Sequence, residues 1–397
     1  MTAKKIQVRL RTHRPQPPFT TFVSLNDEAG ETILCFPALV EARDTVVGPF
    51  VIDRPVSIDI VTGDADARVD ATIEPFYSAG SRWLWARQDW RERAGAMRAL
   101  LHPKDARAGQ LVPWKFRPLG AARPSVSLVI PTRDGLAVLE RAVATLFENA
   151  RWPDKELIIV DNGSQEADTL AYLRALAANP AIKIIREDAP FNFARLNNIG
   201  ARAARGDILA LMNNDIETDD PDWLDAFVAL ASDPAVGAVG GKLLFPDGTV
   251  QHAGVTLGVR GYVAHVGLGR AGDDEGPNRI LATTRRVSAV TGACLFTPRA
   301  LYQRLGGFDE NYVIEFNDID YCLRVGEAGL AVVWAAEPRL LHKESATRGQ
   351  RPLREQELLD RKRFVRHWGY KLTGDPYYPH NLTLRDESLR RKLPFGL

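Results

Sequence analysis

The sequence has few cysteines and no long apolar run, and both absences limit where the protein can work. The three cysteines among its 397 residues, Cys35, Cys294 and Cys322, are odd in number and far apart, which predicts neither a disulfide framework nor a metal-binding CxxC pair. No uncharged apolar run reaches the roughly 18 residues that a membrane-spanning helix needs, and the basic start lacks the apolar core of a signal peptide. We therefore expect a protein of the reducing cytoplasm whose contact with a membrane is at most peripheral.

An excess of one charge is also lacking. The 51 Lys and Arg residues nearly balance the 50 Asp and Glu residues, so the net charge is +1 and we expect no nucleic-acid partner. The hydrophobic share of 45% and the charged share of 25% are typical of globular proteins and argue against disorder. The length predicts two domains.

Two glycine-rich phosphate-binding motifs are missing as well. There is no GxGxxG after the first strand of the α/β region and no GxxxxGK[ST], which argues against a dinucleotide-dependent oxidoreductase and a P-loop NTPase. Nucleotidyl transfer would favour a glycine-rich first loop with several basic residues. The loop that begins at Pro131 has only Arg133, so this class fits poorly.

The pattern of short apolar runs divides the chain into three segments. Residues 1–76 contain β-branched and aromatic runs separated by Gly and Pro, which predicts a small, β-rich, sandwich-like accessory domain. Residues 77–124 combine an amphipathic helix, from about residue 82 to 101, with a proline-containing linker. The tryptophan-bearing, basic helix either packs on a core with its charged face in solvent or lies on an anionic membrane.

Residues 125–397 change to an α/β pattern. Apolar strands alternate with amphipathic helices, which predicts a mostly parallel sheet with helices on both faces. The predicted strands begin at Val126, Leu157, Ile182, Ile208 and Ala331, and the predicted helices cover about 136–149, 166–178, 197–204 and 353–368.

Polar residues follow these strands, at the sheet edge where ligands of such folds bind. The exits contain Asp134, Asp161 and the run Asn213-Asn214-Asp215. Turn chemistry alone can place Asp, Asn and Gly after a strand, so a single exit is not informative. Several such exits on one edge favour a site in which Asp215 anchors a divalent cation and the cation neutralises a diphosphate.

Eight stretches in this order resemble family 2 glycosyltransferases of the GT-A fold, in the rhamnosyltransferase-like, polysaccharide-biosynthesis branch. They cover residues 126–134, 156–164, 191–198, 211–217, 291–294, 306–310, 316–324 and 341–345. The resemblance covers somewhat more than half of the chain and says nothing about residues 1–110. It implies a Rossmann-like, mixed sheet and the transfer of a sugar.

The resemblance implies an inverting transfer of a hexosyl or deoxyhexosyl group to a hydroxyl of a glycan or lipid-linked acceptor, from a dTDP- or UDP-sugar. Asp161 is expected to bind the base or ribose, and Asn197 to open a helix whose amides face a phosphate. The residues expected around the donor are Pro131, Thr132, Asp134, Asp161, Asn197, Asn214, His252 and Gly292.

The resemblance also implies a metal and a base. Asp215 and His342 are expected to hold Mn²⁺ or Mg²⁺ at the leaving diphosphate, and imidazole suits Mn²⁺ better. The family's Glu-Asp pair before a helix corresponds to Asn317 and Asp318, so Asp318 is the predicted general base. Amides at Asn213 and Asn317 replace carboxylates that are commoner in the family. They leave open an inactive protein that only binds a sugar nucleotide or glycan.

Overall fold

The structure is a computed structural model that describes part of the N-terminal region and most of the rest. The described residues are the strands between 4 and 75 given below, positions 111, 113–115 and 119, and the ranges 123–259, 262–343, 355–372, 374–384 and 386–391. The predicted helix at 82–101 lies outside them, as does most of the predicted linker.

The N-terminal region is built from two three-stranded antiparallel sheets. Their strand orders are β4-β1-β6 and β3-β2-β5. Alternate residues are buried, Val8 and Leu10 on β1 and Val23 and Leu25 on β2, as expected for strands with one covered face. The predicted β-rich character is confirmed. The strands are β1 Lys4–Thr12, β2 Phe19–Asn26, β3 Thr32–Val40, β4 Asp44–Ile52, β5 Ser57–Thr62 and β6 Val69–Pro75.

A larger mixed sheet follows, with the order β11-β18-β12-β17-β10-β7-β8-β9 and with β13 and β16 paired to β12 and β18. The pairs β10–β7, β7–β8, β8–β9 and β12–β18 are parallel, so the predicted α/β class with a mixed, mostly parallel sheet is confirmed. A separate pair consists of β14 and β15. The strands are β7 Val126–Thr132, β8 Lys155–Asp161, β9 Ile182–Arg186, β10 Ile208–Met212, β11 Ile216–Glu217, β12 Val236–Leu244, β13 Val250–His252, β14 Val255–Val259, β15 Tyr262–His265, β16 Arg285–Val287, β17 Cys294–Pro298 and β18 Ala331–His342.

The helices of this region pack on apolar strands. Helix α3, Phe193–Ala203, approaches β7 at Gly200, where an added Cβ would clash with Val129. The α-helices are α1 Leu136–Ala142, α2 Ala167–Leu176, α3 Phe193–Ala203, α4 Leu224–Ala231, α5 Arg299–Arg304, α6 Asn317–Glu327 and α7 Glu355–Trp368; α1 continues as a π-helix, Val143–Glu148, and 3₁₀ turns cover Pro277–Arg279 and Gly369–Lys371.

Two sequence-based boundaries are wrong. Helix α3 begins at Phe193 rather than at Asn197, because the side chain of Asn192 caps it by accepting a hydrogen bond from the Arg195 N–H. Strand β18 continues to His342, well beyond residues 331–334, the short apolar run that predicts it. Its register with β12 shifts beside Pro338, which lets the strand resume pairing after the proline.

Contacts within the chain define two compact units. The larger unit comprises Leu111–Val255 and His265–Asp360, and it contains the mixed sheet and every residue of the site described next. The other comprises Met1–Gln110, Thr256–Ala264 and Arg361–Leu397. The larger unit has its own core, in which Phe227 stacks on Phe296.

Candidate active site

A cleft of about 740 Å³ opens in the larger unit beyond the carboxyl ends of β7 and β10. This is the edge where the sequence predicts a ligand site. The exits of both strands, the loop before β17, the start of α6 and the end of β18 form its walls. Seven predicted site residues line it: Pro131, Thr132, Asn214, Asp215, Gly292, Asp318 and His342.

The predicted metal ligands Asp215 and His342 lie together in the cleft. Strand β11 pairs antiparallel with the end of β18, so that Ile216 faces His342, and the Lys343 N–H donates to the Asp215 carbonyl. This pairing places His342 Nε2 3.0 Å from Asp215 Oδ1. His342 is buried, and Asp215 keeps about a fifth of its side chain exposed to the cleft.

The chemistry of this pair fits a hard or borderline divalent cation. The buried Oδ1 of Asp215 receives no hydrogen bond from the described residues, although a ring nitrogen lies beside it. A carboxylate oxygen and an imidazole nitrogen are ligands that Mn²⁺ accepts. No group of three or more His, Cys, Asp or Glu side chains converges anywhere in the described residues, so any such cation would take its remaining ligands from substrate or water.

The carboxylate of Asp318 lines the same cleft. It is half-buried in the first turn of α6, where Oδ2 accepts a hydrogen bond of 2.7 Å from the Gly292 N–H. An added Cβ at Gly292 would come within 3.2 Å of the Asp318 Cβ and of the Phe193 ring. The absence of a side chain at position 292 therefore allows this close approach of backbone and carboxylate.

The backbone before Asp318 is held by a buried carboxylate on another helix. Asp360 of α7 has no exposed surface, and it accepts hydrogen bonds from the N–H groups of Val313, Ile314 and Glu315 at 2.8–3.3 Å. The next residue, Phe316, adopts a left-handed conformation with φ of 69°, which is rare for a bulky side chain. Asp360 therefore fixes a strained entry into α6.

Residues at the exit of β7 form the third part of the cleft. Thr132 Oγ1 accepts a hydrogen bond of 3.0 Å from Asn214 Nδ2, which joins the exits of β7 and β10. Asn162 also lines this region, and its Nδ2 donates to the carbonyls of Glu187 and Ala189. Its buried Oδ1 has no hydrogen-bond donor among the described residues and is available to a ligand N–H.

The structure does not place Asp134 or Asp161 in the cleft lining. Asp134 Oδ1 accepts from the N–H groups of Gln165 and Glu166, and these bonds lower the pKa of Asp134. Asp161 is buried, with Oδ1 on the Ser164 N–H and Oδ2 paired to Arg186 at 2.8 Å. Both side chains stabilise turns after their strands, so the structure gives no support for a direct contact with the nucleotide, which stays a prediction.

Asn197 and His252 also lie behind the cleft wall. Asn197 is fully buried in the middle of α3, and its Nδ2 donates to the Phe193 carbonyl, so the predicted phosphate-facing helix start is wrong. His252 is fully buried, with Nδ1 2.8 Å from His265 Nδ1 and Nε2 accepting from the Thr291 N–H. Burial, and secondarily His265, lowers the pKa of His252 well below 6.5. His252 does not line the cleft itself, but it contacts His265, which does.

Sequence reasoning did not single out three polar residues of the cleft lining, Asn162, Gln251 and His265. Gln251 and His265 reach it from β13 and β15, and Asn162 follows Asp161. The signal for Gln251 and Asn162 was present, because each is the immediate neighbour of a predicted residue. The position of His265 depends on how distant strands pair, which local periodicity does not encode.

The helices of the described residues are all too short or too polar to cross a membrane.

Comparison with known proteins assigns residues 127–283 to the family described as Glycosyl transferase family 2. Over 343 residues the chain is 36% identical to the O-antigen biosynthesis protein RfbC of Myxococcus xanthus, with coverage of 83% of this chain and 27% of that protein. Over 280 residues it is 40% identical to the uncharacterized protein y4gI of Sinorhizobium fredii, with coverage of 69% and 31%. The chain thus spans less than a third of the length of both relatives.

The aligned region covers most of a third relative. The N-acetylglucosaminyl-diphospho-decaprenol L-rhamnosyltransferase of Mycobacterium tuberculosis is 26% identical over 234 residues, which cover 54% of this chain and 74% of that enzyme. The family match begins within β7 and includes the exits of β7 and β10 and all of β13. The chain therefore carries a family 2 glycosyltransferase domain, and the family predicted from its motifs is confirmed.

Proposed function

We propose that this chain transfers a sugar from a nucleoside-diphosphate donor to an acceptor hydroxyl, with inversion at the anomeric carbon. The observation that carries the proposal is that the Asp215–His342 pair and Asp318 line one cleft. Inverting transfer needs a stabilised leaving diphosphate on one side of the sugar and a proton acceptor on the other.

The donor is bound by the exits of β7 and β10. Pro131, Thr132 and Asn214 form the wall against the nucleoside, and Asn162 Oδ1 accepts an N–H of the base in place of Asp161. Gly292 leaves room for the sugar beside Asp318. These roles account for buried polar groups that face the cleft.

Asp215 and His342 would hold a divalent cation, Mn²⁺ or Mg²⁺, against the diphosphate. When bound, the cation stabilises the negative charge that develops on the leaving group. Of the two protein ligands, the imidazole favours Mn²⁺.

Asp318 is the general base of the proposed reaction. Its carboxylate accepts the proton of the acceptor hydroxyl while that oxygen bonds to the anomeric carbon. The bond from this carbon to the diphosphate oxygen breaks on the opposite face, and the nucleoside diphosphate leaves with the bonding electrons. The hydrogen bond from the Gly292 N–H holds the carboxylate in place during this step.

The names of the relatives suggest the class of substrate. One is an O-antigen biosynthesis protein and another transfers L-rhamnose to a lipid-linked sugar, so we propose a dTDP- or UDP-linked hexose or deoxyhexose and a glycan or lipid-linked acceptor. We place the reaction in the cytoplasm or at the inner face of the cell membrane. We also propose that residues 1–76 form an accessory domain, that residues 77–124 form a helix and a linker, and that residues 125–397 form the catalytic segment.

A donor panel tests the proposal. The purified chain is incubated with nucleoside-diphosphate sugars, Mn²⁺ or Mg²⁺, and polyprenyl-diphosphate-linked glycans, and the release of nucleoside diphosphate is measured. We expect release with at least one donor and its loss on chelation of the metal. Calorimetric binding of a donor without release in any combination would instead indicate the non-catalytic binding protein that Asn213 and Asn317 leave open.

A further inference from the structure

The ring of His342 is surrounded by three polar side chains that together determine where its proton sits. Nδ1 lies 2.5 Å from Gln251 Oε1. Nε2 lies 3.2 Å from Asn213 Nδ2 and 3.0 Å from Asp215 Oδ1. Gln251 and His342 are both more than nine-tenths buried, so bulk water does not compete for these contacts.

Of the two neutral tautomers of His342, these contacts are compatible with one. An amide oxygen accepts hydrogen bonds and cannot donate, so the contact with Gln251 requires a proton on Nδ1. An amide nitrogen donates, so the contact with Asn213 requires a lone pair on Nε2. Asp215 Oδ1 agrees with this assignment, because it receives no hydrogen bond from the described residues although Nε2 is close.

We propose that Gln251 is a positioning residue that holds His342 in the Nδ1–H tautomer and so directs the Nε2 lone pair toward Asp215. Which ring nitrogen of a histidine is protonated depends on the hydrogen bond made by the other nitrogen. Two acceptors 3.0 Å apart repel each other unless a cation or a proton lies between them. Gln251 therefore keeps this pair ready for a divalent cation.

The same arrangement gives Asn213 a role that its aspartate counterpart could not fill. An ionised carboxylate at this position has no proton to donate to Nε2. The amide donates to Nε2 and stabilises the unprotonated nitrogen before a cation arrives. The replacement of a carboxylate by an amide is thus consistent with a working cation site.

The inference rests on the proposed function only for the identity of the cation, because the tautomer is a property of the metal-free protein. It is measured on ¹⁵N-histidine-labelled full chain by long-range ¹H–¹⁵N correlation, with His342 assigned by comparison with the His342→Gln variant. We expect protonation at Nδ1 in the wild type and in Gln251→Glu, which keeps an acceptor oxygen. Protonation of wild-type His342 at Nε2 would overturn the inference.

Calorimetric titration with Mn²⁺ alone gives the second readout. We expect Gln251→Met, which removes the acceptor oxygen, to weaken Mn²⁺ binding by about 10- to 100-fold, the effect typical of losing the partner of a ligating histidine. Gln251→Glu should restore near wild-type affinity, and Gln303→Met on the exposed side of α5 is the matched control. Equal Mn²⁺ affinity of wild type and a folded Gln251→Met would contradict the inference.

The two claims fail separately. An Nδ1–H tautomer and a Gln251-dependent Mn²⁺ affinity in a protein that releases no nucleoside diphosphate would sustain the positioning role and remove the proposed function. Turnover together with an Nε2–H tautomer in the metal-free protein would sustain the proposed function and remove the positioning role of Gln251. If Gln251→Met does not fold, the wild type and Gln251→Glu still decide the tautomer.

Discussion

Two parts of the cleft hold their functional groups by different means: the part around Asp215 and His342, called the cation end, and the part around Asp318, called the base end. At the cation end, side chains hold side chains, because Gln251 and Asn213 contact His342, and His342 contacts Asp215. At the base end, backbone amides do this work, since the Gly292 N–H holds Asp318. Substitution of a supporting residue therefore acts directly on the functional side chain at the cation end, whereas at the base end it acts only through movement of the backbone. The following predictions test this contrast.

The largest effect is expected at the base. Asp318→Asn keeps an oxygen for the Gly292 N–H but cannot accept the hydroxyl proton, so kcat should fall by about 10²- to 10⁴-fold. Donor affinity, measured by calorimetry, should change little because Asp215 and His342, not Asp318, are proposed to hold the diphosphate. Asp309→Asn is the matched control, since its Oδ1 caps Asn311 outside the cleft lining. A collapse of donor affinity in Asp318→Asn would show that Asp318 binds substrate rather than a proton.

The next largest effect is expected at the cation end, where loss of the Asp215 carboxylate should weaken Mn²⁺ binding. Asp215→Asn replaces an anionic ligand by a neutral one, so we expect Mn²⁺ affinity to fall by more than the roughly 10- to 100-fold of an outer partner. Asp219→Asn, almost fully exposed nearby, is the control. Calorimetry with Mn²⁺ measures both variants. Unchanged Mn²⁺ affinity in Asp215→Asn would refute its role as a ligand.

A substitution behind the base should act through the backbone. Asp360→Asn places an amide nitrogen against backbone N–H donors, so we expect it to lower the free energy of unfolding by about 1.5–3 kcal/mol, the value of one charged hydrogen bond. It should also lower kcat, with little change in the donor KM, at temperatures where the variant is folded. Chemical denaturation and steady-state kinetics measure the two effects.

Glu355→Gln is the matched control for Asp360, because it makes the same exchange at an exposed position on α7. It should leave stability and kcat at wild-type values. If Asp360→Asn lost stability but kept full kcat in its folded fraction, the carboxylate would support the fold without positioning Asp318.

The smallest effect is a pH dependence of stability from His252. Since its pKa is lowered in the fold, the unfolded state binds more protons below pH 6.5, and the free energy of unfolding should decrease as the pH falls through that range. One such group contributes a slope of at most about 1.4 kcal/mol per pH unit. Denaturation of wild type and His252→Gln between pH 7 and 5 should give a shallower slope for the variant.

The matched control is His380→Gln, the same exchange at an exposed histidine. Equal slopes in wild type and His252→Gln would mean that His252 is protonated in the fold without cost, contrary to its burial between His265 and Thr291.

The sequence predicted those features that depend on local pattern. Strand β10 begins and ends where its apolar run does, and the edge carrying Asp215 followed from the rule for parallel strands. Asp134 and Asp161 show the limit of that rule. A carboxylate after a strand can cap a turn as readily as it binds a ligand, and only the position of Arg186 or of the Gln165 N–H decides between the two.

The parts of the site that escaped prediction depend on distant pairing. His265 and Gln251 arrive on short strands, and Asp360 arrives on the last described α-helix, more than 40 residues after Asp318. Neither hydrophobic period nor residue type near these positions indicates what they contact. The contacts follow from strand register and helix packing, which a single sequence does not reveal.

One kinetic experiment on wild type, Asp215→Asn and Asp318→Asn tests most directly whether Asp215 binds the cation and Asp318 accepts the proton. Nucleoside diphosphate release is measured with an accepted donor and acceptor over a wide range of Mn²⁺ concentration. We predict that Asp215→Asn recovers rate as Mn²⁺ is raised, whereas Asp318→Asn stays slow at every concentration with an unchanged Mn²⁺ midpoint. If both variants respond to Mn²⁺ in the same way, the cleft does not separate a cation end from a base end.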